Sequence, residues 1–148
     1  MIMTDKLKFL FALLVAYRHN IHMLHWKVVG EHFDCVHKLM DKYVDKFNGF
    51  IDDIGEMLLS LEQDPLTLQE CMELLSNHES DFLVIESTRD YEGEDVFKAI
   101  QIMFNDLYVM YTSITSECEL GDCVSKLDEH KYWLRVECYY KNMKRMKD

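Results

Sequence analysis

Proline and glycine are scarce in this chain: its 148 residues include one proline and five glycines. These two residues most often interrupt helices or form tight turns, so few breakpoints are available. Many short strands joined by turns are therefore a poor fit, and long helices with short connections are predicted. The length suits a single domain, residues 1–148, with enough chain to bury a sizeable core.

Basic residues are in the minority. Sixteen lysines and arginines stand against 27 aspartates and glutamates, which gives a formal net charge of −11. Such a surface repels nucleic acid and anionic lipid unless its basic residues are segregated, and it attracts cations. The charge permits metal binding without demonstrating it, because many acidic proteins bind no metal.

The five cysteines form no C-x-x-C pair and no regular framework. They are Cys35, Cys71, Cys118, Cys123 and Cys138. An odd, scattered set favours buried free thiols in a reducing cytoplasm over a disulfide scaffold. The apolar start "KLKFLFALLVAY" resembles the front of a signal peptide, but no small-residue cleavage site follows it. No segment approaches the length of a membrane span. We therefore expect a cytoplasmic protein without a membrane partner.

Apolar residues recur at steps of three and four over four long segments, which predicts four helices. Their approximate ranges are residues 5–29, 34–61, 94–118 and 122–146. Gly30 is expected to end the first helix, because glycine tolerates positive φ, and Pro65 follows the second. "TLQECMELL" predicts a short extra helix, and the apolar "FLVI" of the connection 77–93 should pack on the bundle. The predicted fold class is an all-α four-helix bundle.

Four polar residues form a stripe along the second predicted helix: His37, Asp41, Asp52 and Glu56. Each pair is four residues apart and so shares a face. At about 100° per residue, the eleven steps from Asp41 to Asp52 return to within roughly 20° of the same direction. A solvated face would mix in lysines, yet the lysines of this helix lie on its other sides. The stripe is therefore a candidate set of metal ligands.

The two pairs cannot bind one metal within a single chain. Fifteen residues separate His37 from Asp52, or about 22 Å along a helix, whereas metal–ligand bonds are near 2 Å. A second copy of the helix, running antiparallel across a two-fold axis near Lys46, would bring the pairs together and form the site twice. His25 could reach the same place, because the chain turns back at Gly30.

Imidazole and carboxylate ligands without thiolate suit iron, manganese or zinc. The alternative is that these are ordinary solvated residues, because acids on exposed helix faces are common. His19 and His22 precede His25 at steps of three and are a weaker candidate for a second metal position. Cys35 is interpreted as a buried small hydrophobic residue.

The motifs together resemble the Dps family, the mini-ferritins named for DNA-binding proteins from starved cells. They are "HW" at His25–Trp26, Gly30, Phe33, "H-x-x-x-D" at His37–Asp41 and "D-x-x-x-E" at Asp52–Glu56. "HKYWLRVE" is similar to the family's last helix, so the likeness covers most of the chain. No glutamate is followed by a histidine three residues later, unlike the Glu-x-x-His motifs of larger ferritins. The resemblance implies a ferritin-like bundle with a short helix between the second and third helices.

The resemblance also implies a function: ferroxidase activity, with hydrogen peroxide as the preferred oxidant, and ferric mineral storage in a hollow shell of twelve subunits. His25 of one subunit would hold the first iron with Asp52 and Glu56 of its partner, and His37 and Asp41 would complete a second position. Trp26 would intercept stray oxidising equivalents, although it could equally fill core volume. Asp122 and Asp128 are candidates for an iron-entry pore, but the segment before Trp133 is shorter than usual.

DNA binding, the family's other function, is doubtful here. The start "MIMTDKLK" is too short and mixed for a basic tail, and only Lys141, Lys144, Arg145 and Lys147 offer a weak basic patch. Two alternatives to a ferroxidase remain. One is a structural or DNA-compacting shell whose metal site is vestigial or filled by zinc, and the other is a helical dimer that binds no metal.

Overall fold

A computed structural model describes residues 2–78 and 82–147. The helices are α1 (Met3–Lys27), α2 (Phe33–Ser60), α3 (Leu68–Ser76), α4 (Gly93–Thr115), α5 (Gly121–Val136), a π-helical segment (Glu137–Lys141) and α6 (Asn142–Arg145). The four-helix bundle and the short helix between the second and third long helices are confirmed. Among the described residues, no helix is long and apolar enough to cross a membrane.

The helix pair α1 and α2 forms the face that carries the candidate ligands. The two helices run antiparallel, so the end of α1 lies beside the start of α2. Arg18 of α1 donates a hydrogen bond to the Asn48 side chain of α2, and a Cβ at Gly55 would lie 3.6 Å from the Phe11 ring. The small residue at position 55 thus leaves room for the aromatic ring between the helices.

The core is most aromatic where α2, α4 and α5 meet. Phe47 of α2 is fully buried, and its ring centroid lies 5.6 Å from that of Phe104 and 6.4 Å from that of Trp133. Tyr43 contacts the same two rings edge-on. Burial of these large side chains fixes which face of α2 turns inward and therefore which face remains outside.

A short parallel strand pair, which the sequence did not predict, ends α1 earlier than expected. β1 (Val28–Val29) pairs with β2 (Tyr91–Glu92), Val28 opposite Tyr91. This pairing holds the turn after α1 against the start of α4. Gly30 follows with φ +101°, which confirms that the chain reverses at this glycine.

The last predicted helix is continuous from Gly121 to Arg145 but contains the π-helical segment. Glu137, which begins that segment, is 7% exposed. It accepts a hydrogen bond of 3.2 Å from the Tyr43 hydroxyl, and Lys141 and Arg145 lie within 3.5 and 3.7 Å of its carboxylate. A buried carboxylate is thus compensated by a tyrosine and two cations.

Three of the four residues of the "FLVI" segment pack on the bundle as predicted, whereas Val84 is exposed; residues 79–81 of that connection lie outside the described part. Phe82 and Leu83 are half-buried against the core and Ile85 is buried. The Asn20 amide of α1 donates to the Leu83 carbonyl at 2.7 Å. The backbone N–H of Glu86 donates to the Tyr91 hydroxyl at 3.1 Å.

Substituting Gly30 by alanine should destabilise the protein by about 1–2 kcal/mol, because its φ of +101° lies where a Cβ is strained. No atom lies within 4 Å of the added Cβ, so the cost would come from the backbone alone. Urea unfolding measures the change. Gly121→Ala is the control, since its Cβ would also meet open space without a positive φ. Equal stability of the two variants would contradict the prediction.

Candidate metal centre

His25 and His37 meet where α1 ends and α2 begins. Their rings stack with centroids 3.6 Å apart. The Nδ1 atom of His25 lies 2.7 Å from the His37 carbonyl oxygen, and Nδ1 of His37 lies 2.7 Å from the His25 carbonyl oxygen. Because a carbonyl oxygen can only accept, each Nδ1 donates its proton, and each Nε2 of a neutral ring retains its lone pair.

This bonding is the arrangement that metal-binding histidines use. A metal-ligating imidazole usually donates its other N–H to a carboxylate or a backbone carbonyl, which fixes the tautomer and the ring orientation. Here the two rings fix one another through the backbone of each residue. The pair therefore presents two Nε2 donors that need no tautomer change before binding a cation.

Aromatic side chains surround the pair. The Phe33 ring stacks on His37 with centroids 4.8 Å apart, and the His22 ring lies 5.7 Å from that of His25. Trp26 stacks on His22 at 4.0 Å but is 54% exposed. The alternative that Trp26 fills core volume is therefore wrong for the single protomer, and its radical-quenching role remains a prediction.

His22 interacts electrostatically with Asp41 as well as with the neighbouring histidines. Burial lowers the pKa of His22, and electrostatic interactions with His25, Arg18 and His19 lower it further, whereas the interaction with Asp41 opposes the shift. A lowered pKa favours the uncharged form of the His22 imidazole, whose nitrogen lone pair can bind a cation. The carboxylate and the histidines thus share one end of the α1–α2 face.

The predicted stripe on α2 lies on its outer face. His37 is half-buried, whereas Asp41, Asp52 and Glu56 are exposed; the inward face carries Met40, Phe47 and Ile54, each fully buried. Asp45 and Asn48, also exposed, continue the stripe between the two ligand pairs. No group of three or more histidine, cysteine or acidic side chains close enough to hold a metal occurs within residues 2–78 and 82–147. Within one protomer the predicted ligands therefore lie in two separated groups, each of which would form half of a metal site.

The comparisons with known proteins agree with this bundle. The ferritin-like domain family matches residues 4–125. A DNA protection during starvation protein from Helicobacter pylori is 29% identical over 108 residues, 72% of this chain and 71% of that protein. The chain belongs to the Dps family of ferritin-like proteins. The structure of Dps from Staphylococcus aureus superposes with a TM-score of 0.84 at 16% identity, covering 99% of this chain and 95% of that one.

A second solved structure has the same fold as this chain. The Helicobacter cinaedi protein CAIP superposes with a TM-score of 0.87 at 17% identity and covers 99% of this chain and all of that one. At such identities, superposition establishes the fold, and the ligand roles of the five residues remain a prediction.

The structure also bears on the predicted second metal position at His19 and His22 and on the cysteines of this Dps protein. His19 is exposed, and in the described part of the chain no third ligand joins His19 and His22 in a group that could hold a metal. Cys35 is exposed rather than buried, so that interpretation is wrong: it lies in the first turn of α2, where its thiol donates to the His32 carbonyl. All five cysteines are free, as predicted.

Asp122 lies at the start of α5 and, like Asp128, is exposed. A shallow surface pocket is lined by Asp53, Glu56, Asp122, Cys123 and Lys126. The predicted iron ligand Glu56 and the predicted pore residue Asp122 therefore face the same depression. Whether Asp122 and Asp128 line a pore depends on the assembly, so that role remains a prediction.

The weak basic patch is partly neutralised. Lys141 and Arg145 both lie within ion-pair distance of Glu137, and Arg145 also donates to the Tyr43 hydroxyl oxygen at 2.9 Å. Lys144 and Lys147 are exposed. Two of the four cations are thus engaged by a buried carboxylate of this Dps protein, which leaves less charge to contact a phosphate backbone.

No motif or spacing in the sequence indicated His130, which is 2% exposed. Its Nε2 lies 2.7 Å from a carboxylate oxygen of Asp53, and its Nδ1 lies 2.7 Å from the Tyr111 hydroxyl. The three residues come from α2, α4 and α5. No spacing rule within one helix could have connected them.

Proposed function

We propose that this protein is a ferroxidase and iron-storage mini-ferritin that oxidises ferrous iron with hydrogen peroxide at a site between two subunits. Iron storage is the function that the family implies. The observation that carries the proposal is the mutual bonding of His25 and His37, which leaves both Nε2 atoms as donors at one end of an exposed acidic stripe.

A two-fold axis across α2 would join the half-sites. An antiparallel copy centred between Lys46 and Phe47 places His37 opposite the partner subunit's Glu56 and Asp41 opposite the partner subunit's Asp52. The same register places Asp45 opposite the partner subunit's Asn48, which is a carboxylate facing an amide rather than a like charge. A two-fold contact of this kind produces two equal sites per dimer.

Each residue then has a defined role. His25 and the partner subunit's Asp52 and Glu56 bind the first ferrous ion, and His37 and Asp41 bind the second more weakly. Carboxylates stabilise the ferric state over the ferrous state, because the extra positive charge interacts more strongly with them. Two ferrous ions each give up one electron, and together they reduce one peroxide to two waters with two protons. No hydroxyl radical is released.

The dimers would assemble further into a twelve-subunit shell that stores the ferric product. The chain's net charge of −11 is repeated in every subunit and would attract iron to the assembly. DNA protection can follow from this chemistry without DNA contact, because it removes ferrous iron and peroxide together. Direct DNA binding is not part of the proposal, since Glu137 engages two of the four candidate cations.

Anaerobic loading with ferrous iron, followed by peroxide or by dioxygen, tests the proposal. We expect ferric absorbance to rise faster with peroxide, and Zn²⁺ added first to slow it, because zinc suits the same ligands without redox chemistry. Native mass measurement should give a multiple of the dimer. A trace no faster than that of free iron would contradict ferroxidase activity and favour the structural or zinc-occupied shell.

A further inference from the structure

A hydrogen-bonded triad, Tyr111–His130–Asp53, links α4, α5 and α2. The proposed iron chemistry does not use it. Tyr111 is fully buried and His130 is 2% exposed. The Tyr111 hydroxyl and His130 Nδ1 are 2.7 Å apart, and His130 Nε2 is 2.7 Å from Asp53 Oδ2. Asp53 is about one third exposed, so the triad extends from the core to the surface.

The proton positions in this triad follow from the groups at its two ends, the Asp53 carboxylate and the Tyr111 phenol. The Asp53 carboxylate only accepts, so His130 donates from Nε2. Burial lowers the pKa of His130 despite the opposing carboxylate, and burial raises the pKa of Tyr111 well above its usual value. A neutral imidazole therefore accepts the phenolic O–H at Nδ1. The phenol is protonated and in contact with a free base.

We propose that Tyr111 is a one-electron oxidation site that protects the protein from strong one-electron oxidants such as the hydroxyl radical. Tyr111 loses one electron, and its phenolic proton moves to His130 Nδ1, which leaves a neutral phenoxyl radical and an imidazolium. The hydroxyl radical gains the electron and becomes hydroxide. A later electron from a ferrous ion or a thiol restores the phenolate oxygen, and the proton returns from Nδ1.

The surroundings of Tyr111 fit this role. The Asp53 carboxylate faces the imidazolium that forms, which compensates its charge inside the protein. Phe50 stacks on His130 with centroids 4.0 Å apart and holds the ring in place. Complete burial of Tyr111 keeps its radical from coupling with other molecules. Asp53 lines the same surface pocket as Glu56. The exposed end of the triad therefore lies close to a predicted ligand of the iron that peroxide would oxidise.

Two other fully buried tyrosines provide matched controls. Tyr17 donates to the Asp106 carboxylate at 2.7 Å, which is a weaker base than imidazole, with ordinary pKa values of about 4 against 6.5. Tyr43 donates to Glu137 at 3.2 Å and accepts from the Arg145 guanidinium at 2.9 Å. That cation disfavours removal of an electron from the adjacent ring. Only the Tyr111 hydroxyl of these three contacts a histidine.

The test uses iron-free protein, so that it does not depend on ferroxidase activity. A photogenerated ruthenium(III) polypyridyl complex serves as the oxidant, and electron paramagnetic resonance follows tyrosyl radicals after the flash. Exposed tyrosines should give short-lived signals, and Tyr111 should give the long-lived one. We expect Tyr111→Phe to lose the long-lived signal, and Tyr17→Phe and Tyr43→Phe to retain it. Its absence from the unmodified protein, or its survival in Tyr111→Phe, would overturn the proposal.

His130→Gln separates proton acceptance from structural support. A glutamine oxygen can accept the Tyr111 hydrogen bond, but an amide does not take up the proton. We expect this variant to lose the long-lived signal while thermal melting shows a folded protein. The unmodified protein supplies an independent measurement: radical formation should slow in deuterated water, because the proton moves with the electron. Equal rates in the two solvents, or a long-lived signal in a folded His130→Gln protein, would reject the relay.

Discussion

Replacing Glu56 by glutamine should slow peroxide-dependent oxidation of ferrous iron by more than about a hundredfold, since loss of even an outer-shell partner of a metal ligand costs roughly 10–100-fold. Glu56 is exposed in the protomer, and glutamine has nearly its size, so folding should be unaffected. The variant keeps the shape of the stripe but loses the anionic ligand. Stopped-flow ferric absorbance measures the rate.

Asp45→Asn is the matched control for that variant. Asp45 is exposed on the same face of the same helix, and in the proposed register it lies opposite an amide rather than a metal. We expect its oxidation rate to stay close to that of the unmodified protein. If Asp45→Asn lost as much activity as Glu56→Gln, overall acidity of the face rather than ligation would explain the effect.

Mixing two inactive variants should restore activity if the site lies between subunits. One chain carries Glu56→Gln, and the other carries His25→Ala with His37→Ala. In a dimer of one chain of each kind, one site has all its ligands and the other lacks both sets. Random pairing after unfolding and refolding an equal mixture would then regenerate about a quarter of the sites.

The separately refolded variants provide the baseline for this experiment. Each should remain inactive, because every site in it lacks either its histidines or its carboxylate. Activity in the mixture that does not exceed the average of the two separate proteins, with mixed dimers present by native mass measurement, would refute the two-fold site.

Phe47→Ala should be the most destabilising substitution on α2, at about 3–5 kcal/mol for removal of a buried phenylalanine. Its side chain is fully buried and packs between Phe104, Phe50 and Trp133. Removing the ring leaves a cavity between three helices that these large neighbours cannot fill. For a chain of this size the melting temperature should fall by roughly 10 °C, which calorimetry measures.

Val84→Ala is the comparison for that loss, because Val84 is 69% exposed in the connection before α4. It should change stability by no more than about 0.5 kcal/mol. A Phe47→Ala protein as stable as Val84→Ala would show that the aromatic centre of the bundle is not closely packed.

The amino-acid sequence by itself determined the helices and the face that each one buries. Apolar spacing depends only on neighbours within a few turns, so the ranges of α2 and α4 agree with the structure to within three residues. The same local logic placed His37, Asp41, Asp52 and Glu56 on one outer stripe. Gly30 marked the reversal that returns His25 to His37, because its backbone conformation is a local property.

Tertiary structure alone decided the features that join distant segments. The mutual bonds of His25 and His37 require α1 and α2 to pack at one particular register. The bond between Asp53 and His130 spans 77 residues, and that between Tyr43 and Glu137 spans 94. Helical periodicity fixes which way a side chain points, but not which residue of another helix it meets. Which residues of two helices come into contact depends on how their buried side chains pack together, and the sequence of one helix does not specify this.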